Sequence, residues 1–283
     1  MTALDLAGWI IASPMIALFG AFLTETTLGL SDRLPRTAET STDSAIRTTI
    51  LMPAHNEAGS IARTVADLVP LLSATTRLLV VADNCSDDTA AIARSAGAEV
   101  IERTDPSRRG KGYALAFGRD FMTSDPPECV IVLDADCQIS AASAASLARI
   151  ASTAGRPVQA NYLFTPDRTA RPLVQISNFA LLVKNGVRQR GLARLGAPAI
   201  LNGTGMAFPW TIFATAPLAS GNIVEDLALG IALARNGHAP LYVEEACVRS
   251  PAAAEQATLD QRTRWEHGFM ATAREFGLPL LAG

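Results

Sequence analysis

Val130-Ile131-Val132-Leu133-Asp134-Ala135-Asp136 is the stretch on which the reading of this chain turns. Four apolar residues, rich in β-branching and without polar alternation, predict a strand buried on both faces, as in a parallel sheet. In open sheets of that kind, ligands bind beyond the carboxyl ends of the strands. Two carboxylates one residue apart are therefore delivered where a ligand is expected. On an extended segment Asp134 and Asp136 point the same way, and two hard oxygen donors on one side suit Mg2+ or Mn2+ holding a diphosphate. The plain alternative is an acidic turn that caps the next helix.

Upstream, the pattern repeats. Thr48 to Pro53 reads as a strand, followed by the loop Ala54-His55-Asn56-Glu57-Ala58-Gly59 and a helix capped by Ser60 with Ile61, Val65, Leu68 and Leu72 on one face. Leu78 to Ala82 is a second buried strand and delivers Asp83. Ser86, Asp87 and Asp88 open a helix over 89–96, stopped at Gly97, and a third strand spans 98–101. Strand–helix alternation implies right-handed crossovers and a mostly parallel sheet. Arg108-Arg109-Gly110-Lys111-Gly112 is a basic, glycine-bearing turn at a helix start. It could meet phosphate oxygens, or it could be a solvated loop; it lacks the P-loop spacing.

Downstream, a helix is expected around 140–152, a strand over 158–164 and helical periodicity over 173–187. Asn202-Gly203-Thr204-Gly205 reads as a flexible loop that lets backbone approach a ligand, or simply as a tight turn. Glu225 and Asp226 open a helix, where acids are ordinary dipole partners. Leu241 to Glu244 is a strand, and Gln261, Arg264 and Trp265 lie in an apparent helix over 258–276.

Leu6 to Leu23 holds no charge, near the lower length for a membrane span. A signal peptide would want a positive start, and no Lys or Arg precedes Arg33. A membrane anchor over 1–30 is expected, then a polar linker over 31–47. Arg33, Arg36 and Arg47 follow the segment, which predicts a cytoplasmic location for the rest, at an inner membrane. With 283 residues, 49% of them apolar, and a net charge of −3, the chain does not read as a nucleic-acid binder. Its four cysteines (Cys85, Cys129, Cys137, Cys247) form no C-x-x-C pair and no convincing disulfide framework.

Taken in order, Pro53-Ala54-His55-Asn56-Glu57, Asp83 with Ser86-Asp87-Asp88-Thr89, Gly110-Lys111-Gly112, Asp134-Ala135-Asp136, Glu225-Asp226 and Gln261-x-x-Arg264-Trp265 resemble a family 2 glycosyltransferase with the GT-A fold. The last motif resembles the membrane-bound branch that includes cellulose, chitin and hyaluronan synthases and ceramide glucosyltransferase. The resemblance implies an α/β catalytic domain over 48–257 and a C-terminal segment over 258–283 that can lie at the membrane. It implies a UDP-type donor whose base and ribose meet Pro53, Glu57 and Asp83, with Lys111 near the phosphates. Asp134 would meet the donor ribose or sugar, and Asp136 would hold Mg2+ or Mn2+. Asp226 would be the general base, and Gln261, Arg264 and Trp265 would flank the diphosphate. Gly203, Thr204, Gly205, Glu225 and Trp265 would line the site of a lipid or glycan acceptor. One base and no protein nucleophile fits a single displacement with inversion.

The resembled branch carries further transmembrane helices after Gln-x-x-Arg-Trp, whereas this chain ends at Gly283 and has Val224 where a Thr is usual. Export of a long polymer by this chain alone is therefore not expected, and partner subunits are compatible with the reading. A sugar-phosphate nucleotidyltransferase and a non-catalytic nucleotide-sugar-binding subunit are the competing functions. The first would normally show a glycine-rich first loop, and retention of Asp136 and Asp226 argues against the second.

Overall fold

A computed structural model describes residues 3–32, 34, 45–219, 224–252, 266–268, 270, 272–274 and 277. Along the chain it contains α1 (Ala3–Leu30), β1 (Thr48–Ala54), α2 (Ile61–Leu68), β2 (Thr76–Asp83), α3 (Thr89–Ser95), β3 (Glu99–Arg103), α4 (Lys111–Met122), β4 (Cys129–Val132), β5 (Gln138–Ile139) and α5 (Ala141–Ala154). There follow β6 (Val158–Phe164), α6 (Pro172–Leu182), a π-helical segment (Val183–Arg188), α7 (Gln189–Arg194), β7 (Met206–Pro209), α8 (Trp210–Phe213), α9 (Glu225–Arg235) and β8 (Leu241–Ser250).

The strands form one sheet in the order β3-β2-β1-β4-β7-β6-β8-β5. β3, β2, β1 and β4 are mutually parallel, β7 runs antiparallel to both β4 and β6, and β6 and β8 are again parallel. The uninterrupted apolar runs behave as their composition requires. On one face Ile50, Met52, Leu78, Val80 and Ile131 pack with Ile61 and Leu68 of α2 and Leu147 of α5. On the other, Leu51, Leu79, Val130 and Val132 meet Leu115 of α4, Phe213 of α8 and Leu229 of α9. Each such side chain withdrawn from water contributes about 1.5–3 kcal/mol, which is why strands of this composition settle between two helical layers.

The chain winds outward from β1 to β3 and then returns to place β4 on the opposite side of β1. The strand order thus reverses between β1 and β4, and a crevice opens there beyond their carboxyl ends. β1 ends in Pro53-Ala54 and β4 leads into Leu133-Asp134, so the reversal itself sets the two motifs side by side.

Two local expectations change. The N-terminal helix runs past Leu23 to Leu30, and the stretch that qualifies as a membrane span is Ala12–Leu30, with Pro14 inside the helix. Its end packs on the protein: Glu25 pairs with Arg188 at 2.7 Å and the Gly29 carbonyl accepts from Arg190 at 2.7 Å. A Cβ on Gly29 would stand 1.8 Å from the Val187 oxygen, and one on Gly191 1.9 Å from the Glu25 oxygen. Glycine at both positions is what lets the backbones touch. Asp134 and Asp136, in turn, do not continue an extended strand. They sit in a tight turn closed by Cys137 N–H donating to the Asp134 carbonyl at 3.0 Å.

Candidate active site

The first wall of the crevice is built from the β1 and β2 loops, which lock together. Asn56 and Asn84 adopt left-handed backbone angles, with φ of 55° and 51°, a conformation that asparagine tolerates. The Asn56 carboxamide oxygen accepts from Ser86 N–H at 2.8 Å, and Glu57 N–H donates to Thr89 Oγ1 at 2.7 Å. Asp87 accepts from the Thr89 hydroxyl at 2.5 Å and from Ala58 N–H at 3.1 Å. The Ser-Asp-Asp-Thr motif therefore serves the first loop as well as opening α3. His55 Nδ1 lies 2.7 Å from the Asp83 carbonyl.

Arg103 is the residue that the sequence reading missed. It closes β3 directly opposite Asp83 in the parallel register. Its guanidinium meets the Asp83 carboxylate at 2.6 Å, the Arg108 carbonyl at 2.9 Å and Asp105 at 3.2 Å, and lies 5.6 Å from the centre of the Tyr113 ring. The Arg103 and Asp83 side chains are 10% and 8% exposed, so this is a buried ion pair whose guanidinium also bonds the Arg108 carbonyl and Asp105. The available signal was positional: a strand running two residues further places an arginine beside the carboxylate of its neighbour.

Lys111 begins α4 behind Gly110, whose φ of 129° is open to glycine. Its ammonium bonds to the Asp134 carboxylate and donates to the Gly203 carbonyl at 2.7 Å. Burial opposes its charge, but Asp134, Glu225 and Asp226 more than offset this and raise its pKa. Gly203 (φ 77°) lies close to both Lys111 and Asp226: a Cβ there would stand 3.3 Å from Lys111 Nζ and 3.4 Å from an Asp226 oxygen. Thr204 is buried and its hydroxyl accepts from Asp134 N–H at 3.1 Å, while Gly205 packs against Val248 and Ala160. These two residues hold the loop in place, and Gly203 faces the site.

Asp134, Asp136 and Cys137 bring potential ligand atoms within 4.8 Å of one another. Cys137 is buried and its thiol donates toward Asp136 at 3.5 Å. Burial, with the two carboxylates beside it, pushes that thiol far above its ordinary range and keeps it protonated. The chemistry of the donor set is thus two carboxylates, which fits a hard divalent cation. The Asp136 carboxyl is raised by desolvation and by Asp134 beside it, a repulsion that a cation would relieve.

The crevice, of about 360 Å3, is lined by Pro53, Ala54, His55, Glu57, Asp83, Asn84 and the 109–111 turn, with Asp134 and Asp136 at its end. Beyond Gly203 lie Glu225 and Asp226 at the start of α9. Burial raises both carboxyls, Glu225 to about 6, against the pull of Lys111. Asp226 also feels Lys184, which comes from the π-helical segment. Gln261, Arg264 and Trp265 lie outside the described residues.

The profile of glycosyl transferase family 2 matches residues 49–203, more than half of the chain. The chain belongs to glycosyl transferase family 2. The matched span holds Glu57, Asp83, Lys111, Asp134, Asp136 and Gly203; Glu225 and Asp226 follow it. No curated protein matches this chain. Solved structures share the GT-A fold. The mannosyltransferase PcManGT from Pyrobaculum calidifontis, in complex with GDP-Man and Mn2+, superposes with a TM-score of 0.65 at 19% identity, covering 93% of this chain and 74% of that one. Glucosyl-3-phosphoglycerate synthase from Mycobacterium tuberculosis gives 0.57 at 20% identity, covering 83% and 82%. Mannosyl-3-phosphoglycerate synthase from Rubrobacter xylanophilus gives 0.53 at 19%, covering 82% and 75%.

Proposed function

We propose that this chain transfers a sugar from a nucleotide-sugar, a UDP-sugar before others, to a hydroxyl of a lipid or glycan at the cytoplasmic face of a membrane, with inversion at the anomeric carbon. The observation that carries the reading is the arrangement around Gly203. The Lys111 ammonium bonds the Asp134 carboxylate and the Gly203 carbonyl, and a Cβ on Gly203 would lie within 3.4 Å of both that ammonium and an Asp226 oxygen, so the acidic pair and Asp226 converge on one lysine.

In this reading Glu57 and Asp83 hold the base and ribose, and Arg103 holds Asp83. Asp136, with Asp134 beside it, would hold Mg2+ or Mn2+, and the cation would neutralise charge developing on the leaving diphosphate. Related folds have been solved with Mn2+ alongside GDP-Man or UDP, which supports the metal and keeps both nucleotides in the test. A hydroxyl is a weak nucleophile at neutral pH, so a carboxylate placed on it contributes directly. Asp226 takes that proton, and Lys111 and Lys184 favour its ionised, proton-accepting form against the cost of burial. A single base with no protein nucleophile gives one displacement and therefore inversion. Glu225 and Gly203 border the acceptor, and Gln261, Arg264 and Trp265 are assigned to the diphosphate and acceptor from the motif alone. The membrane location rests on α1, whose candidate span is almost wholly unburied.

The test is nucleotide release by the detergent-solubilised chain. UDP-glucose, UDP-N-acetylglucosamine, UDP-galactose and GDP-mannose are each supplied with Mg2+, Mn2+ or EDTA and a membrane lipid extract. Metal-dependent release of UDP or GDP, with the configuration of the new bond inverted, is expected. Release of pyrophosphate would instead favour a nucleotidyltransferase, and a failure to bind any donor would sink the reading.

A further inference from the structure

The α6 helix carries an apolar flank that faces away from the protein. Ile176, Phe179 and Leu182 are 60%, 66% and 43% exposed. They recur every three residues and so share one side of the helix, while Val174 and Leu181 are buried on the other. A large aromatic and two large aliphatics left together in water call for a partner.

Two observations indicate which partner. The first is position. α6 runs without a break into the π-helical segment, less than two turns before Arg188. Arg188 pairs with Glu25 at 2.7 Å and lies 5.4 Å from the centre of the Phe22 ring. Phe22 to Gly29 is where α1 leaves its exposed apolar stretch (Met15, Ile16, Leu18, Phe19) and joins the domain. The flank of α6 thus ends at Leu182, less than two helical turns from the arginine on which α1 docks. The second is charge. Residues 165–197 hold six basic residues against a single acid, Asp167, in a chain whose net charge is −3; Arg188 and Arg190 pair with Glu25 and Glu244, and Arg168, Arg171 and Arg194 are exposed. An apolar helical flank set in a strongly basic stretch is the composition of a helix that lies in the plane of an anionic bilayer.

We infer that α6 rests on the anionic lipid surface, with Ile176, Phe179 and Leu182 in the headgroup–acyl boundary. The exposed Arg168, Arg171 and Arg194 of the 165–197 stretch then lie level with the phosphates. The inference rests on the reading of α1 as a membrane anchor. It also gives the π-helical segment a purpose. That segment links the lipid-facing flank to Lys184, whose charge reaches Asp226. A hydroxyl carried by a membrane-embedded acceptor would then enter the site from the lipid side, without leaving the bilayer.

The experiment uses the full chain with Cys85 and Cys247 replaced by Ser, since Cys129 and Cys137 are buried. A single NBD fluorophore is placed at Phe179→Cys, at Phe121→Cys on the exposed side of α4, or at Ile16→Cys in α1. Each protein is reconstituted one copy per nanodisc, in phosphatidylcholine containing about a quarter phosphatidylglycerol, with or without a nitroxide on the lipid headgroup region. Quenching at 179 at least about threefold stronger than at 121, and weakened when phosphatidylglycerol is omitted, is the expected result. Equal quenching at 179 and 121 with strong quenching at 16 overturns the inference and leaves the anchor intact. Absence of quenching at both 16 and 179 sinks the anchor and the inference together. Quenching at 179 alone keeps the surface contact and sinks the anchor. Shielding of 179 that appears only in discs holding two copies assigns the flank to a second copy of the chain, and quenching indifferent to phosphatidylglycerol removes the electrostatic half of the inference.

Discussion

The two halves of the site are held together by different means. On the donor side, from β1 to the Asp134 turn, each loop is tied to the next through side chains: Asn56 to Ser86, Thr89 to Glu57, Arg103 to Asp83, Lys111 to Asp134. Among the described residues of that half, no buried side-chain polar atom lacks a partner. On the acceptor side, between β6, α6 and the π-helical segment, Asn161, Ser177, Asn178, Asn185 and Asn202 each bury a polar atom with no hydrogen bond. That half is held both by side chains, such as Arg188 on Glu25 and Gln189 on Ile200, and by close backbone approach, with Gly29 and Gly191 letting α1 touch the π-helical segment and α7. Buried polar groups are satisfied as a rule. The half beside Asp226 is therefore less fully tied by hydrogen bonds than the half that carries Asp83, Lys111 and Asp134.

The contrast is easiest to break at Arg103. Arg103→Met leaves the Asp83 carboxylate buried and unpaired and frees the 105–109 loop. We expect a loss of about 3–5 kcal/mol in denaturant unfolding and at least tenfold weaker binding of UDP by calorimetry. Asp83→Asn in the same chain should recover part of the stability but not the binding. A stability change below about 1 kcal/mol would mean that the donor half is not organised by this pair.

At Gly191→Ala the added carbon meets backbone, which cannot give as a side chain can. Loss of about 1–3 kcal/mol is expected, with donor affinity unchanged. An equal loss of donor affinity would show that the halves are mechanically one.

Glu225→Gln probes the charge buried beside Asp226. Burial raises the Glu225 carboxyl to about 6, so the folded state holds its proton more tightly than the unfolded state does. Stability conferred at low pH is therefore lost as pH climbs from the ordinary carboxylate value through about 6. Removing the charge should raise stability at pH 8 by up to about 2 kcal/mol and leave stability at pH 4 unchanged. A variant less stable than the parent at pH 8 would contradict the sign. Turnover has the opposite dependence. Asp226 must be ionised, and burial raises it, so activity should fail on acidification above the usual carboxylate range.

Asn185→Ala should show the smallest effect on stability, below about 1 kcal/mol, because its carboxamide oxygen already lacks a partner and only the bond from Nδ2 to the Tyr162 carbonyl at 3.1 Å is lost. Its effect should appear in the KM for the acceptor and not for the donor. A large loss of stability would place Asn185 in the framework and remove it from the ligand's surroundings.

The donor half was legible in the sequence because its strands are continuous apolar runs and its acids follow them directly. Val130 to Leu133 and Leu78 to Ala82 can be placed by composition alone, and the reversal of strand order then fixes where Asp83, Asp134 and Asp136 meet. Arg103 escaped because the third strand runs past Ile101, and two residues further it brings a partner into register with Asp83. The acceptor half was less legible because its contacts are long-range. No local pattern reports that β7 runs antiparallel to β4, that Thr204 holds Asp134, or that a glycine in α1 faces a valine carbonyl more than 150 residues away. Glu225 and Asp226, ordinary as a helix start, gain meaning only once Gly203 and Lys111 are seen beside them.

The central claim is that Asp226 serves the acceptor while the acidic pair serves the donor. Its most direct test measures UDP affinity in the presence of Mn2+ together with sugar transfer, in Asp226→Asn and Asp136→Asn proteins. The account predicts that Asp226→Asn binds UDP as the parent does and loses about 10²–10⁴-fold in turnover. Asp136→Asn should lose metal-dependent UDP binding itself. Full turnover in Asp226→Asn, or unchanged Mn2+-dependent binding in Asp136→Asn, would contradict it.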